Sequence, residues 1–186
     1  LLSDHQKDHR SLFRKTYVEF DGSHTHDHIK AFHYAKYELL ATTRNTTITR
    51  NGIQIPNERF HHQYGGSNHS WMTRASHFLN ENVEKHFGFV ETSNMPSVAE
   101  PLMRWIKELS INGRKSAKSD WGFRGWLAPH FSDAWASTGL KHDGGGMANQ
   151  WGIWPMGGTW LTNNMWDHYD FNRDLTVTKQ FYEILK

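Results

Sequence analysis

The sequence contains no cysteine, which excludes disulfide bonds and thiolate metal sites. Its charges nearly balance, with 21 lysines and arginines against 19 aspartates and glutamates and a net charge of +2. A chain of this charge has no strong electrostatic attraction to nucleic acid or to a membrane, and we expect neither partner. No run of about 18 apolar residues occurs, so the sequence predicts no membrane-spanning helix. Its 186 residues are enough for one domain with a hydrophobic core.

Apolar residues recur at helical spacing along most of the chain. Six helical segments are predicted on this pattern: Leu2–Arg14, His24–Thr43, the centre of His69–Val90, Val98–Leu109, Trp160–Tyr169 and the stripe Val177–Leu185. Between them lie two long stretches, Asn45–Gly66 and Trp121–Gln150, which are expected to be irregular. No strong series of strands occurs. The sequence therefore predicts an all-α fold whose long Trp- and Gly-rich loops carry the function.

Local signals predict several element boundaries. Ser97–Glu100 fits a capping box at the start of the fourth helix, and Gly113 lies where its C-terminal cap belongs. Asp174 is placed to cap the last helix. Thr16–Phe20 alternates apolar and polar residues and is expected to form a short extended segment.

The most unusual feature is the concentration of tryptophan. Seven of the nine tryptophans lie between residues 121 and 166, and Trp151–Tyr169 holds four of them together with Gly157-Gly158. The glycine pair lets the backbone turn tightly or approach a neighbour closely. This stretch is predicted to run inward as a loop and to continue as a buried helix. A second interpretation makes Trp154 and Trp160 the floor of a pocket.

A histidine cluster opens the second predicted helix. His24 and His28, with His26 between them, would share a helix face, and two histidines four residues apart can hold zinc. No glutamate follows as in the zinc-protease helix, and the segment begins a helix directly after a turn. We therefore interpret the cluster as a solvated helix start, and we expect neither a metal nor a cofactor.

Two further groups of polar residues are candidates for a site. Asn80 and Asn82 interrupt an amphipathic segment, and because asparagine is a mediocre helix former, they indicate a helix end or a site. His130 and Asp133 share a loop, where Asp133 is a general base, an acceptor for a sugar hydroxyl, or the holder of an Asx-type turn. Pyranose faces stack on indole rings and sugar hydroxyls need polar partners. Tryptophans beside Asp, Asn and His therefore favour a carbohydrate ligand.

Three of these stretches resemble the catalytic domain of glycoside hydrolase family 95, the α-L-fucosidase family. Trp154–Leu161 and Met165–Tyr169 resemble its Gly-Gly-Ala-Trp-Leu and Leu-Trp-Glu-His-Tyr motifs, and Leu79–Glu84 resembles its Leu-Asn-Ile-Asn-Ile-Gln. Further matches follow in the family's order: His5–Phe13, Phe32–Leu40, Glu100–Leu102, Gly113–Ala117, Gly125–Ala128, His130–Trp135 and Phe171–Asp174. So many matches in the right order are hard to obtain by chance.

The resemblance implies a partial (α/α)6 barrel, with residues 1–186 as the N-terminal part of the catalytic domain and the site in the barrel mouth. It implies inverting hydrolysis of terminal α-L-fucosyl linkages in an oligosaccharide or glycan. In the family an asparagine amide, polarised by a carboxylate, acts as the base beside a second asparagine. By resemblance Asn82 would orient the water, with Asn80 beside it. The expected sugar-binding residues are His130, Asp133, Trp154 and Trp160.

The family's general acid lies in a Ser-Pro-Glu motif beyond the Trp-Glu-His-Tyr helix, and its polarising aspartate lies further still. Neither falls within these residues, so we expect the chain to need the rest of its own barrel. Alone it should hydrolyse nothing, and measurable fucose release would contradict this. We expect the parent protein to be secreted, periplasmic or extracellular. The rival function is a non-catalytic glycan-binding or helical scaffold domain derived from the same fold.

The sequence departs from the family pattern in two segments that lie close to the sugar in the family. Pro129 and Phe131 replace the His and Asn that flank His130 in the pattern, and Glu84–Val90 replaces Gln-Met-Asn-Tyr-Trp-Pro-Ala. These departures leave the substrate open between fucose and another deoxy sugar, galactose or a different linkage. A relative that has lost catalysis is a further alternative.

Overall fold

The computed structural model describes residues 2–42, 46–50, 53–57, 77–79, 81–133, 135–139 and 154–185. Within these ranges the α-helices are α1 (Leu2–Phe13), α2 (Thr25–Thr42), α3 (Glu81–Thr92), α4 (Glu100–Trp121), α5 (Gly157–Asn172) and α6 (Leu175–Leu185). A 3-10 turn at Pro96–Val98 precedes α4. The strands are β1 (Thr46–Arg50), β2 (Ile53–Asn57), β3 (His77–Phe78) and β4 (Phe131–Ser132). The described chain is thus mainly helical, as predicted.

The hydrophobic core lies between α3, α4, α5 and α6. Helix α4 contributes most to it, because its apolar residues recur every three or four positions and form one face. The buried core side chains include Phe87, Val90, Leu102, Trp105, Ile106, Leu109, Leu161, Met165, Phe181 and Ile184. Burying each such large side chain stabilises the fold by roughly 1.5–3 kcal/mol. None of the helices in the described ranges combines the length and apolar character needed to cross a bilayer.

Helices α3 and α5 run in the same direction. Near their C-terminal ends, the carboxylate of Glu91 contacts the ring of His168. Ahead of their N-terminal ends, the backbone N–H of Leu79 donates to the carbonyl of His130 at 3.0 Å, and the ring of His130 contacts Trp154. Both helices therefore begin at one end of the molecule, which we call the mouth end.

Helices α4 and α6 run the opposite way. The indole Nε1 of Trp126, which follows α4, donates to the carbonyl of Ile184 near the end of α6 at 3.1 Å. The ring of Trp126 also lies against Gly158 in the first turn of α5. The ends of α4 and α6 and the starts of α3 and α5 thus share the mouth end.

The first two helices pack through a buried lysine. Helix α1 has no buried residue of its own. The Nζ of Lys36, on α2, donates to the carbonyl of Phe13 at 3.2 Å and lies 5.4 Å from the centre of the Phe13 ring. Burial lowers the pKa of Lys36. The ring of Phe32 lies 5.6 Å from that of Phe89, which joins α2 to α3.

The predicted ends of the fourth helix are wrong at both termini. Helix α4 begins at Glu100 after Ala99, and no side chain caps it, so Ser97–Glu100 is not a capping box. At the other terminus α4 continues through Gly113, and Gly122 ends it in the left-handed conformation with φ of 67°. The predicted cap of the last helix is confirmed, because the Oδ1 of Asp174 accepts the backbone N–H of Thr176 at 2.8 Å.

Gly113 marks a close approach of two backbones and not a helix end. A Cβ at this position would lie 2.4 Å from the carbonyl oxygen of Leu127 and 3.2 Å from its nitrogen. The N–H of Leu127 donates to the carbonyl of Gly113 at 3.4 Å. A side chain at position 113 would therefore have to push the segment after α4 away from the helix.

We expect Gly113→Ala to lower the free energy of unfolding by about 1–3 kcal/mol through overpacking. The matched control is Gly88→Ala on α3, where nothing lies within 4 Å of the added Cβ. That change should raise the free energy of unfolding by up to about 1 kcal/mol, because alanine favours the helix over glycine. Urea unfolding followed by circular dichroism measures both variants. Shifts of the same sign would show that Leu127 does not constrain position 113.

The hairpin of β1 and β2 lies in the stretch that was expected to be irregular, so this part of the prediction is wrong. The antiparallel register joins Thr46 to Asn57 and Arg50 to Ile53, with Asn51-Gly52 between the strands. Asn-Gly between two strand-forming runs is the strongest short-range signal for a hairpin. The signal for this hairpin is therefore present in the sequence.

Two other boundaries also differ from the predictions. His77–Phe78 is a strand and α3 begins at Glu81, so the segment around Phe78 is not helical. Thr16–Phe20, predicted as a short extended segment, lies outside the helices and strands, and that prediction stays untested. Leu185, predicted on the buried stripe of the last helix, is exposed, whereas Phe181 on the same stripe is buried.

Candidate functional site

A short strand pair at the mouth end brings two distant loops together. His77 pairs with Ser132 and Phe78 pairs with Phe131. Together with the hydrogen bond from Leu79 to His130, this pairing places the backbone just ahead of Asn80 beside His130. Asn80 itself lies outside the described residues.

Asn82 lies in the first turn of α3, the second residue of that helix. Only its backbone position is described, and its role therefore stays a prediction. The position is close in sequence to Leu79, which is hydrogen-bonded to the loop of His130. The start of α3 is thus anchored at the mouth end.

Three aromatic rings form a row at the mouth end. The ring of His130 lies 5.4 Å from that of Trp154 at 76°, and Trp154 lies 5.2 Å from Trp160 at 73°. Both are edge-to-face contacts, which aromatic pairs prefer and which are worth roughly 0.5–1.5 kcal/mol each. All three side chains are half-buried. The structure therefore brings together three of the four predicted sugar-binding residues, and we call them the aromatic row.

The glycine pair between Trp154 and Trp160 allows two tryptophan rings to pack closely against the backbone. Gly157 and Gly158 are the first residues of α5 and do not form a separate turn. A Cβ at Gly157 would lie 2.7 Å from Cε3 of Trp154, and one at Gly158 would lie 3.0 Å from the ring of Trp126. Trp154 is therefore seated directly on the start of α5.

The rest of this stretch is only partly buried. Leu161 and Met165 are buried, as predicted for the inner face of the helix. Trp166, predicted on the same face, is 51% exposed, and its ring lies 5.5 Å from that of Tyr169. The helix is therefore a half-buried one and not a helix buried along its whole length.

The carboxylate of Asp133 is engaged in its own turn. Its Oδ1 accepts the backbone N–H groups of Trp135 and Ser137 at 2.9 and 3.1 Å, and its Oδ2 accepts the hydroxyl of Ser137 at 2.8 Å. This is the geometry of the Asx-type turn, one of the alternatives drawn from the sequence. Contact of Asp133 with a sugar stays a prediction.

Burial lowers the pKa of His130, because a half-buried imidazole loses part of the hydration that favours its charged form. The folded protein therefore takes up this proton less readily than the unfolded chain does. Below pH about 6.5 the residue reduces stability, and above that pH its contribution vanishes. At neutral pH the ring is uncharged and presents one hydrogen-bond donor and one acceptor.

We expect an NMR titration of the His130 ring protons to give a midpoint below 6.5, the usual value for an imidazole. The variant His130→Gln identifies the resonance by removing it. A midpoint at or above 6.5 would show that burial does not govern this ring.

A buried polar cluster lies at the opposite ends of α3 and α5. Nδ1 of His168 lies 2.5 Å from Oε1 of Glu91, and the two side chains are 8% and 4% exposed. The amide of Asn172 donates to Oε2 of Glu91 at 2.9 Å and to the carbonyl of His168 at 2.8 Å. Burial, and then the charges of Asp170 and Glu91, raise the pKa of the neighbouring Asp167. We call Glu91, His168 and Asn172 the buried clamp.

A cavity of about 480 Å³ also lies away from the mouth end. It is bounded by the start of α4, the end of α5 and the first half of α6. Its lining residues include Glu100, Met103, Arg104, His168, Val177 and Phe181. No residue of the aromatic row lines this cavity.

The histidines at the start of α2 lie in solvent. His24 precedes the helix with φ of 71°, is 74% exposed and lies 3.9 Å from Asp27. In the part of the chain that the structure describes, no three His, Asp or Glu side chains are grouped so that they could hold a metal ion. The geometry is that of a solvated helix start.

Comparison with known proteins gives the family. Residues 28–186 match the glycosyl hydrolase family 95 catalytic domain. The chain belongs to glycoside hydrolase family 95. It is 28% identical over 203 residues to "Alpha-L-fucosidase 2" of Arabidopsis thaliana, which covers 97% of this chain and 22% of that protein. It is 22% identical over 158 residues to "Probable alpha-fucosidase A" of Aspergillus niger, and this match covers 83% of this chain and 18% of that protein.

This family 95 chain therefore spans about a fifth of the length of these curated relatives. The predicted family is confirmed. The expected substrate and catalytic residues belong to the whole protein and stay predictions.

The structural roles of two side chains, Trp126 and Glu91, were not predicted from the sequence. The ring of Trp126 packs against Gly158, and its Nε1 donates a hydrogen bond to the carbonyl of Ile184 on α6. The position of Trp126 in the tryptophan-rich stretch was a signal that could have indicated this role. Glu91 joins α3 to α5, but nothing nearby in the sequence distinguishes it from a solvent-exposed glutamate.

Proposed function

We propose that this chain is the N-terminal part of the catalytic domain of an inverting hydrolase that removes terminal α-L-fucosyl residues from oligosaccharides or glycans. Membership of family 95 and two relatives named as fucosidases support the class. The observation that carries the proposal is the backbone link between His130 and Leu79. It joins the aromatic row to the segment of Asn80 and Asn82.

In the proposed reaction, a water attacks the anomeric carbon from the face opposite the leaving group. The bond from that carbon to the glycosidic oxygen breaks, and a general acid protonates this oxygen. The amide oxygen of Asn82 orients the water and receives its proton through a hydrogen bond, with Asn80 beside it. Because a neutral amide is a poor base, a carboxylate must polarise it. That carboxylate and the general acid would come from other parts of the full-length protein.

The aromatic row would hold the sugar. Indole rings at Trp154 and Trp160 are suited to the apolar C–H faces of a deoxy sugar, and they are half-buried, so part of each ring meets solvent. His130, neutral because burial lowers its pKa, offers a donor and an acceptor to sugar hydroxyls.

We further propose that the antiparallel pairs α3/α4 and α5/α6 are two hairpins of an (α/α)6 barrel. Their alternating directions support this arrangement, because such a barrel needs inner helices that all begin at the same end. The remaining hairpins would be supplied by the rest of the same chain. We also propose that the full-length protein is secreted, periplasmic or extracellular.

The test is activity of the full-length protein on a panel of aryl glycosides: α-L-fucoside, the glycosides of another deoxy sugar, and galactoside. We expect the α-L-fucoside to be hydrolysed fastest, and NMR of the first product should show the β-anomer. Release of the α-anomer would contradict inversion. Faster hydrolysis of another glycoside in the panel would show that its sugar, and not fucose, is the preferred substrate.

One observation favours a second function. Pro129 and Phe131 replace residues that flank His130 in the family pattern, and both are next to His130 in the sequence. A protein that binds L-fucose in a calorimetric titration but hydrolyses no member of the panel would be the non-catalytic glycan-binding domain.

A further inference from the structure

The turn after β4 carries an unusual density of hydrogen bonds. The carboxylate of Asp133 accepts three of them, from the backbone N–H groups of Trp135 and Ser137 and from the hydroxyl of Ser137. The backbone carbonyl of Asp133 accepts the N–H of Ala136 at 3.0 Å. Ala136 is buried with φ of 54°, a conformation that a residue with a side chain rarely adopts. The bonds around Asp133 hold the backbone in that conformation.

The same turn is attached to the core. Nε1 of Trp105, a residue of α4 that is 1% exposed, donates to the carbonyl of Asp133 at 2.8 Å. The amide of Asn112, also on α4, donates to the carbonyl of Ala136 at 3.0 Å. These two hydrogen bonds fix the position of the turn relative to α4. The turn therefore also fixes the position of the residues next to it in the chain.

The residues beside it belong to the mouth end. Asp133 follows β4 directly, and the hydroxyl of Ser132 donates to the carbonyl of Ser137 at 2.8 Å, which closes the turn back onto the strand. Strand β4 pairs with β3, and the carbonyl of His130, just ahead of β4, accepts the N–H of Leu79. A change in the turn is thus transmitted to the aromatic row and to the backbone that leads into α3.

We infer that Asp133 is a positioning residue for the site: its carboxylate holds the turn that keeps His130 in the aromatic row and beside the segment of Asn80 and Asn82. It acts through this turn, which supplies the three donors that its carboxylate accepts. The inference rests on the proposed function, because it assigns the residue a part in that reaction. It also replaces the expectation of Asp133 as a sugar acceptor.

The test compares Asp133→Asn, Asp133→Ala and Asp174→Ala in the full-length protein, with kcat, KM, the pH profile and the melting temperature as readouts. Asparagine keeps the Oδ1 acceptor for the two backbone N–H groups, whereas alanine removes it. Asp174→Ala is the matched control, because Asp174 also accepts a backbone N–H in its own turn but lies away from the mouth end.

We expect Asp133→Ala to lower kcat/KM on aryl α-L-fucoside by roughly 10- to 100-fold, because a displacement of about 1 Å in a site has effects of this size. Asp133→Asn should stay within the same order of magnitude as the unchanged protein, with the same pH profile. Asp174→Ala should change only the melting temperature.

Two results would overturn the inference. If Asp133→Asn is as damaging as Asp133→Ala, or removes a limb of the pH profile, the carboxylate acts directly on the substrate. If Asp133→Ala changes only the melting temperature, the residue is merely structural.

A protein that hydrolyses no fucoside would refute the proposed function, and the inference is then decided by NMR of the His130 ring. The ring resonance and its titration midpoint should move in Asp133→Ala, because the ring leaves Trp154, and stay unchanged in Asp133→Asn and Asp174→Ala. An unmoved His130 resonance in Asp133→Ala would overturn the inference on its own.

Discussion

Replacing Asn82 with alanine in the full-length protein is expected to lower kcat by roughly 10²- to 10⁴-fold, the usual contribution of a positioned acid–base group. The proposed amide orients the attacking water and carries charge as the water loses its proton. Alanine offers no acceptor at that place, so the water would have to be oriented by solvent alone. Because Asn82 lies in the first turn of a helix and alanine favours helices, the fold should be retained. Initial rates with an aryl α-L-fucoside, together with circular dichroism, measure both effects.

The control for this variant removes an amide elsewhere. Gln180 is exposed on α6, lines the cavity away from the mouth end and takes no part in the proposed reaction. Gln180→Ala should leave kcat unchanged. If Asn82→Ala also leaves kcat unchanged, Asn82 has no place in the mechanism.

The buried clamp predicts the largest effect on stability. Glu91→Ala should lower the free energy of unfolding by about 2–5 kcal/mol, because each of two buried polar groups left without its hydrogen-bond partner costs about 1–3 kcal/mol. The ring of His168 and the amide of Asn172 would then face a buried space without the carboxylate that both contact. Urea unfolding of the full-length protein followed by circular dichroism and fluorescence measures the loss.

A second variant at position 91 tests the carboxylate itself, and a variant on the surface provides the control. Glu91→Gln keeps the size and one carbonyl oxygen, so it should lose less than Glu91→Ala. Asp170→Ala breaks a solvent-exposed contact of 3.2 Å with Arg173, the residue that follows α5, and such pairs are worth about 0–1 kcal/mol. A loss in Glu91→Ala no larger than that in Asp170→Ala would show that the clamp does not hold α3 and α5 together.

The helices were predictable because their signal is local. The spacing of Leu102, Ile106 and Leu109 predicts the buried face of α4, and the spacing of Leu161 and Met165 does the same for α5. The ends of α4 were not predictable in this way. Ser97 has the residue type of a helix cap, but the helix starts three residues later, after a 3-10 turn. Gly113 has the residue type of a helix end, and its purpose appears only when Leu127 is placed against it.

The site was predictable in composition but not in detail. The concentration of tryptophan indicated Trp154 and Trp160, and the structure places them in contact with His130. For Asp133 the sequence left a sugar acceptor and a turn equally open, because both need the same short carboxylate. The partnership of Glu91 with His168 spans 77 residues, and no local pattern connects them.

The two ends of helices α3 and α5 have different tasks. At one end the buried clamp fixes the helices relative to each other, and at the other end lies the half-buried ring of His130, next to the buried Pro129. Pro129 and Phe131 lie at this second end, so a change at either position leaves the contacts of Glu91 with His168 and Asn172 in place. Directed evolution of sugar preference in this family would do best to randomise residues 129–131 and to leave position 91 unchanged.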